Sequence, residues 1–220
     1  MKKLRKEKIN KKNNKSQLIE IGSFLIIVTS ILVIGTTLFI DYRKDKNDNQ
    51  KLNDFFEIQE AINIHDEENI VEQEPVVEKQ EEKYVSYENY IAVLEINKIG
   101  IQRGIYSKDS KQNNVNRNVK LLNESDMPDK EKGNVIIAGH SGNSYVSFFK
   151  NLPKLKQGDE ASIYYQGKKY VYHLMNVYEI PKIGKAHIKR NSEKNTLTLI
   201  TCKHNTNMQY VFIFELENIE

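Results

Sequence analysis

Residues 196–202 read Thr-Leu-Thr-Leu-Ile-Thr-Cys. Every position before the last is leucine or β-branched, and β-branched side chains sit well on a pleated strand while crowding a helix. The stretch therefore predicts a strand from Thr196 to Thr201 with Cys202 at its end. Side chains alternate across a strand, so Cys202 shares a face with Ile200 and Thr198. A second run of the same kind, Asn-Val-Ile-Ile-Ala-Gly-His at 134–140, ends on a histidine. A thiol attacks as thiolate, and a neighbouring imidazole can supply or stabilise that form. A β scaffold presents its strand ends at a rim, so the two runs predict Cys202 as a nucleophile with His140 as its acid/base partner. Gly139 and Gly142 beside His140 allow backbone to approach a ligand closely. The same small residues also read as a surface turn with a solvated histidine.

Outward from these two runs lie more short apolar stretches. Ile91 to Ile96 (IAVLEI) is a strand candidate. Ser144 to Lys150 (SYVSFFK) reads as a helical turn that breaks before Pro153. Ala161 to Tyr165 and Lys169 to Tyr178 flank Gln166-Gly167 and read as a hairpin. Gln209 to Leu216 pairs with 196–201 across a short loop. Several short strands within residues 89–220 predict a mainly β domain, either a closed barrel or a sandwich. A domain of that size can bury an adequate core alone.

Before residue 89 the composition changes. Ile21 to Ile40 (IGSFLIIVTSILVIGTTLFI) carries no charge. As a helix rising about 1.5 Å per residue, it matches a hydrocarbon core about 30 Å thick. Its serine and threonine hydroxyls can bond back to their own helix. Residues 1–20 hold Lys2, Lys3, Arg5, Lys6, Lys8, Lys11, Lys12 and Lys15 against Glu7 and Glu20. The positive-inside rule then keeps this basic tail in the cytoplasm and sends the rest of the chain outside. A cleavable signal peptide would have a shorter apolar core and a small-residue cleavage site. Here Asp41-Tyr42-Arg43 follows a long run, so 21–40 is expected to be an uncleaved, single-pass transmembrane anchor. Residues 41–88 read as an acidic extracellular linker, in which Val71 to Glu82 (VEQEPVVEKQEE) is too charged to bury a core. Asp54 to His65 has apolar spacing suited to a short helix.

The 220 residues carry 33 Lys and Arg against 30 Asp and Glu, a net charge of +3. Most of that excess lies in the tail, and no basic stripe with interleaved aromatics follows it, which argues against nucleic acid as a partner. Cys202 is the one cysteine. An odd thiol on an exported chain points to intermolecular pairing or a reactive group; a buried structural cysteine is the common alternative. Cys202-Lys203-His204 is a fragment of a metal motif, but a zinc site wants about four ligands, and no second cysteine exists. No metal or other cofactor is expected. His173 sits in mid-strand and reads as structural, while His65 and His187 have no supporting context.

From about Ile91 to the end, the chain resembles the sortases, Gram-positive cysteine transpeptidases. The pieces that carry the resemblance are Leu-Glu-Ile-Asn-Lys-Ile at 94–99, the strand-Gly-His run at 134–140 and the Thr-Leu-x-Leu-x-Thr-Cys run at 196–202. The N-terminal anchor is similar to the class A and B layouts and to class D-like enzymes. The resemblance implies a closed eight-stranded β-barrel with short helices. It also implies a two-step reaction in which Cys202 attacks the threonine carbonyl of a sorting signal similar to Leu-Pro-x-Thr-Gly on a surface protein. The acyl-thioester would then pass to an amine of a peptidoglycan precursor or a pilin-like protein. His140 would protonate the leaving amine and deprotonate the incoming one.

One position departs from the family. An arginine normally stands on the strand after the cysteine and donates to the substrate carbonyl or oxyanion. Here Gln209 occupies about that place, and no arginine follows Cys202. The resemblance thus implies that Gln209 acts as the donor, that Arg103, Lys203 or Arg190 reaches in, or that the enzyme is weak; the first is expected. A catalytically inactive, peptide-binding barrel is the rival reading. An ordinary papain-like endopeptidase is a poorer one, because such enzymes place cysteine before histidine in the chain. Calcium modulation is left open. Glu124, Asp126, Asp129 and Glu131 lie in one loop and read as a solvated turn.

Overall fold

The computed structural model describes residues 2–68, 89–184 and 187–220. The chain divides into two compact units, Met1–Asn49 and Gln50–Glu220. A single helix, α1, runs Lys2–Glu68. Its portion Gly22–Ile62 contains an 18-residue window of mean hydropathy 2.4 with none of it buried, so by length and composition it can cross a membrane. Thr29, Ser30, Thr36 and Thr37 donate their hydroxyls to helix carbonyls three or four residues earlier, at 2.7–2.9 Å. That internal satisfaction makes hydroxyls tolerable in an apolar run.

The second unit is built on eight strands: β1 Ala92–Ile96, β2 Ile101–Ile105, β3 Lys120–Leu121, β4 Asn134–Gly139, β5 Glu160–Tyr165, β6 Lys168–Pro181, β7 Thr196–Cys202 and β8 Met208–Ile219. They form one sheet in the order β2-β1-β5-β6-β8-β7-β4-β3. Each neighbouring pair is antiparallel except β4 and β7, which are parallel. The expected eight-stranded barrel is therefore present but nearly closed rather than closed, with β2 and β3 as its edges. Asn118, just before β3, donates its amide to the Gly104 carbonyl of β2 at 2.6 Å and bridges that seam. Bridging it with a buried side chain blunts two edges that would otherwise be open to other strands.

The apolar runs read from sequence are continuous, not alternating, because both faces of those strands are covered. In β1, Ala92, Leu94 and Ile96 face the barrel interior with Leu197, Leu199, Phe212 and Phe214. Val93 points the other way, into a separate cluster with Tyr90, Tyr106 and the α1 residues Leu52 and Phe55. Phe56 meets Tyr164 edge-on at 5.1 Å, and Gln59 accepts the Gly167 N–H at the β5–β6 turn. The helical spacing over 54–65 is thus realised, and this part of the segment read as a linker packs on the barrel. The acidic stretch 71–82 lies outside the described residues.

Residues 144–150 form successive turns, with Ser147 N–H on Ser144 O at 3.0 Å and Lys150 N–H on Ser147 O at 3.2 Å. The helical turn sits later than expected, as a 3₁₀ segment Leu152–Lys154 that includes Pro153. Proline is accommodated there because the first turn of a helix needs no N–H donor.

Candidate active site

The parallel β4–β7 pair sets the site. Asn134 faces Thr196 at one end and Gly139 faces Thr201 at the other. His140 and Cys202 each lie one residue beyond that last pair. Across β7, Cys202 faces Gln209 of β8, and across β8, Gln209 faces Ile180 of β6. Facing residues share a side of the sheet and lie close together, about 5 Å between Cβ atoms for an antiparallel pair. Cys202, Gln209 and Ile180 therefore form one row across three strand ends, and His140 follows directly on the end of the neighbouring β4. Cys202 and His140 are both partly exposed. Beneath the row, Ile136, Ile200, Val211 and Ile213 make a buried apolar cluster on the outer face of the sheet, against which Tyr178, Ile180 and Ile188 pack.

The register is clamped from below. Thr196 and Thr198 both donate their hydroxyls to Asn134 Oδ1, at 3.0 and 2.9 Å, and all three residues are buried. A one-residue slip would orphan these polar groups, at roughly 1–3 kcal/mol each. At the upper end, Thr201 donates its hydroxyl to Gly139 O at 2.8 Å, and Ser141 donates its hydroxyl to Cys202 O. Phe149 lies under the turn; its N–H bonds His140 O at 3.0 Å, and a Cβ on Gly139 would sit 2.7 Å from its ring. Gly139 is required by that close approach. His140 Nε2 is 3.1 Å from Asn116 Oδ1, a pairing in which the imidazole donates.

The loop from β6 to β7 is held over the apolar cluster by Tyr178. Its hydroxyl accepts the Lys189 N–H at 2.7 Å and donates to His187 O at 3.2 Å. Burial raises the Tyr178 phenol above its ordinary pKa, keeping it a neutral donor. Beside the site, Lys203 pairs with Glu179 at 2.6 Å, and that carboxylate raises the Lys203 pKa.

The three residues singled out from sequence, Cys202, His140 and Gln209, are brought together. The basic substitutes each have other partners. Arg190 donates to the carbonyls of Lys132, Asn191 and Lys194, at the starting ends of β4 and β7, about 20 Å away along strands that rise about 3.3 Å per residue. Arg103 stacks on the Phe148 ring, 3.7 Å from its centroid. Lys203 is committed to Glu179 and lies over the Tyr210 ring, on the opposite side of the strand from Cys202. His173 pairs with Glu217 on β6–β8. Asp126 is occupied within its turn by Lys130 at 2.6 Å and the Asn134 N–H at 3.1 Å, and the Lys130 hydrogen bond leads in lowering its pKa. Asn116 and Ser141 escaped the sequence reading. Asn116 sits in an Asn-rich loop with no spacing signal, and Ser141 lies between His140 and Gly142 in a stretch whose small residues signal only a turn.

Chemically, a proton-transfer group just past the end of β4 and an amide donor on β8 flank the strand end that carries the thiol. That arrangement suits acyl transfer through a thioester. A sortase domain family model matches residues 94–217. The chain belongs to the sortase family. Sortase A of Bacillus anthracis is 22% identical over 190 residues, covering 86% of this chain and 89% of that protein. Among solved structures, the Sortase D5 transpeptidase of Clostridium perfringens is 25% identical at a TM-score of 0.51, with 59% of this chain and 80% of that one aligned. Sortase C-1 of Actinomyces oris shares the fold at a TM-score of 0.52 and 21% identity, over 73% of this chain and 99% of its own. Membership makes this sortase a transpeptidase in general terms, acting on protein substrates with sorting signals and on amine acceptors.

Proposed function

We propose that this sortase is a membrane-anchored, extracellular transpeptidase in which Cys202 is the nucleophile, His140 the general acid/base and Gln209 the oxyanion or substrate-carbonyl donor. The observation that supports the reading is that Cys202 faces Gln209 across β7 and β8 while His140 directly follows Gly139, the last β4 residue paired with β7. Cys202 attacks the carbonyl of the threonine in a Leu-Pro-x-Thr-Gly-like sorting signal; the tetrahedral intermediate collapses as His140 protonates the departing glycine amine. An amine from a peptidoglycan precursor or a pilin-like protein then gives up its proton to His140 and takes the acyl group, regenerating the thiol. Gln209 donates without charge, so the site stabilises an oxyanion by dipole alone. The basic tail 1–20 and the apolar segment 21–40 support an N-terminus in the cytoplasm and a barrel outside.

The test is intact-mass spectrometry of the full chain in detergent with Leu-Pro-x-Thr-Gly-like peptides and an amine, beside Cys202→Ala. A thioester adduct on the wild type alone, resolving into amine-linked peptide, is the expected result. Peptide retention without any adduct would replace it with the inactive-barrel reading, which glutamine at the usual arginine position favours.

A further inference from the structure

We propose that Ser141 is a positioning residue that sets the spacing between His140 and Cys202 by standing in for a missing rung of the β4–β7 ladder. The inference rests on the transpeptidase reading of that pair. The last paired residues of β4 and β7 are Gly139 and Thr201, so both His140 and Cys202 lie one residue past the regular ladder. Backbone groups alternate in direction along a strand. Lys203 donates its N–H to Met208 O at 2.9 Å on the β8 side. The carbonyl of Cys202 therefore points the other way, toward β4, where the ladder has ended. The Ser141 hydroxyl fills that gap by donating to Cys202 O.

The position is unusual because Ser141 follows the histidine directly and bonds to the main chain of the cysteine. A change in that bond acts on both ends of the reacting pair at once. Beyond Gly139 the chain turns away, with Gly142 at φ 131°, a conformation that favours glycine and gives the segment no strand pairing of its own. The hydroxyl, the Phe149 N–H on His140 O at 3.0 Å and the His140 Nε2–Asn116 Oδ1 bond at 3.1 Å tie this turn back to the barrel. Without the hydroxyl, the Cys202 carbonyl turns to water and the two strand ends are free to splay. A displacement on the order of 1 Å at reacting groups costs about 100-fold in rate.

The experiment compares wild type, Ser141→Ala, Ser141→Thr and His140→Ala as full chains in detergent. Each is assayed for thioester formation and for the pH dependence of Cys202 alkylation by iodoacetamide, with thermal unfolding run alongside. Ser141→Ala is expected to lower kcat by about 10- to 100-fold with little change in KM. Its alkylation profile should move toward that of His140→Ala, and Ser141→Thr, which keeps the hydroxyl, should stay near wild type on both measures. A Ser141→Ala chain with wild-type turnover and a wild-type profile overturns the proposal. So does a loss that Ser141→Thr shares in full, or one that only follows a lowered Tm. Identical alkylation profiles for wild type and His140→Ala would instead remove the Cys–His pairing itself, and this role with it.

Discussion

A methyl group added at Gly139 probes how the fold aims the histidine. A Cβ there would lie 2.7 Å from Phe149 Cδ2 and 2.8 Å from Cγ, about 0.7 Å inside the 3.4 Å at which ordinary contact begins. Phe149 has no room to retreat, since its side chain is fully buried in the barrel core. Its N–H holds His140 O at 3.0 Å, so a shift of the Phe149 segment is carried to the histidine. Overpacking of this kind costs about 1–3 kcal/mol. At about 2–4 °C per kcal/mol for a unit of this size, Gly139→Ala should lower Tm by roughly 2–12 °C. Thioester formation should fall by about 100-fold if the imidazole moves by on the order of 1 Å. Thermal unfolding and quenched-flow mass spectrometry of the adduct read the two effects separately. Gly139→Ala combined with Phe149→Leu should recover part of both, because the smaller side chain relieves the clash and the two changes are in contact. A Gly139→Ala chain with unchanged Tm and rate, or a double variant whose losses simply add, would refute the reasoning.

Other outcomes follow from the same geometry. Gln209→Ala should reduce kcat by roughly 100- to 1000-fold with KM nearly unchanged, as for loss of one oxyanion donor; steady-state kinetics that put the loss in KM would move Gln209 into substrate binding. Phe55→Ala should destabilise the second unit by about 3–5 kcal/mol in urea unfolding, since this ring is buried against Tyr90, Val93 and Tyr106. A loss below about 1 kcal/mol would mean that α1 adds little to the barrel. The Asp126 carboxyl is held below its ordinary pKa, first by the Lys130 hydrogen bond. Its stabilisation is therefore complete above about pH 3.9 and fades as pH falls through the lowered native value. Asp126→Asn should be less stable than wild type at pH 6, and urea midpoints should converge as the pH is taken toward 2; a gap that stays constant would assign the loss to packing.

Much of this protein was legible residue by residue. The strands at 92–96, 134–139, 160–165, 168–181, 196–202 and 208–219 all carry long β-branched or apolar runs, and propensity and alternation act over neighbouring residues. The strand at 101–105 was not, because Gln102, Arg103 and Gly104 break its pattern while backbone pairing to β1 holds it in place. The two-residue β3 is too short to leave any pattern. The packing of Leu52 and Phe55 was hidden because their partners, Tyr90, Val93 and Tyr106, lie far along the chain.

The sequence by itself determined that a thiol and an imidazole would each end a strand, and that an apolar helix would precede the barrel, because those properties reside in consecutive side chains. Only the tertiary structure decided that Cys202 faces Gln209, that His140 follows the last β4 residue paired with β7, and that Arg190 sits at the far end of the same strands. Register between β4 and β7 depends on side chains distant in sequence, above all the buried Asn134 that accepts from Thr196 and Thr198. A slip of one residue would send Cys202 to the other face. The hydroxyl that joins Ser141 to Cys202 exists only once that register is made.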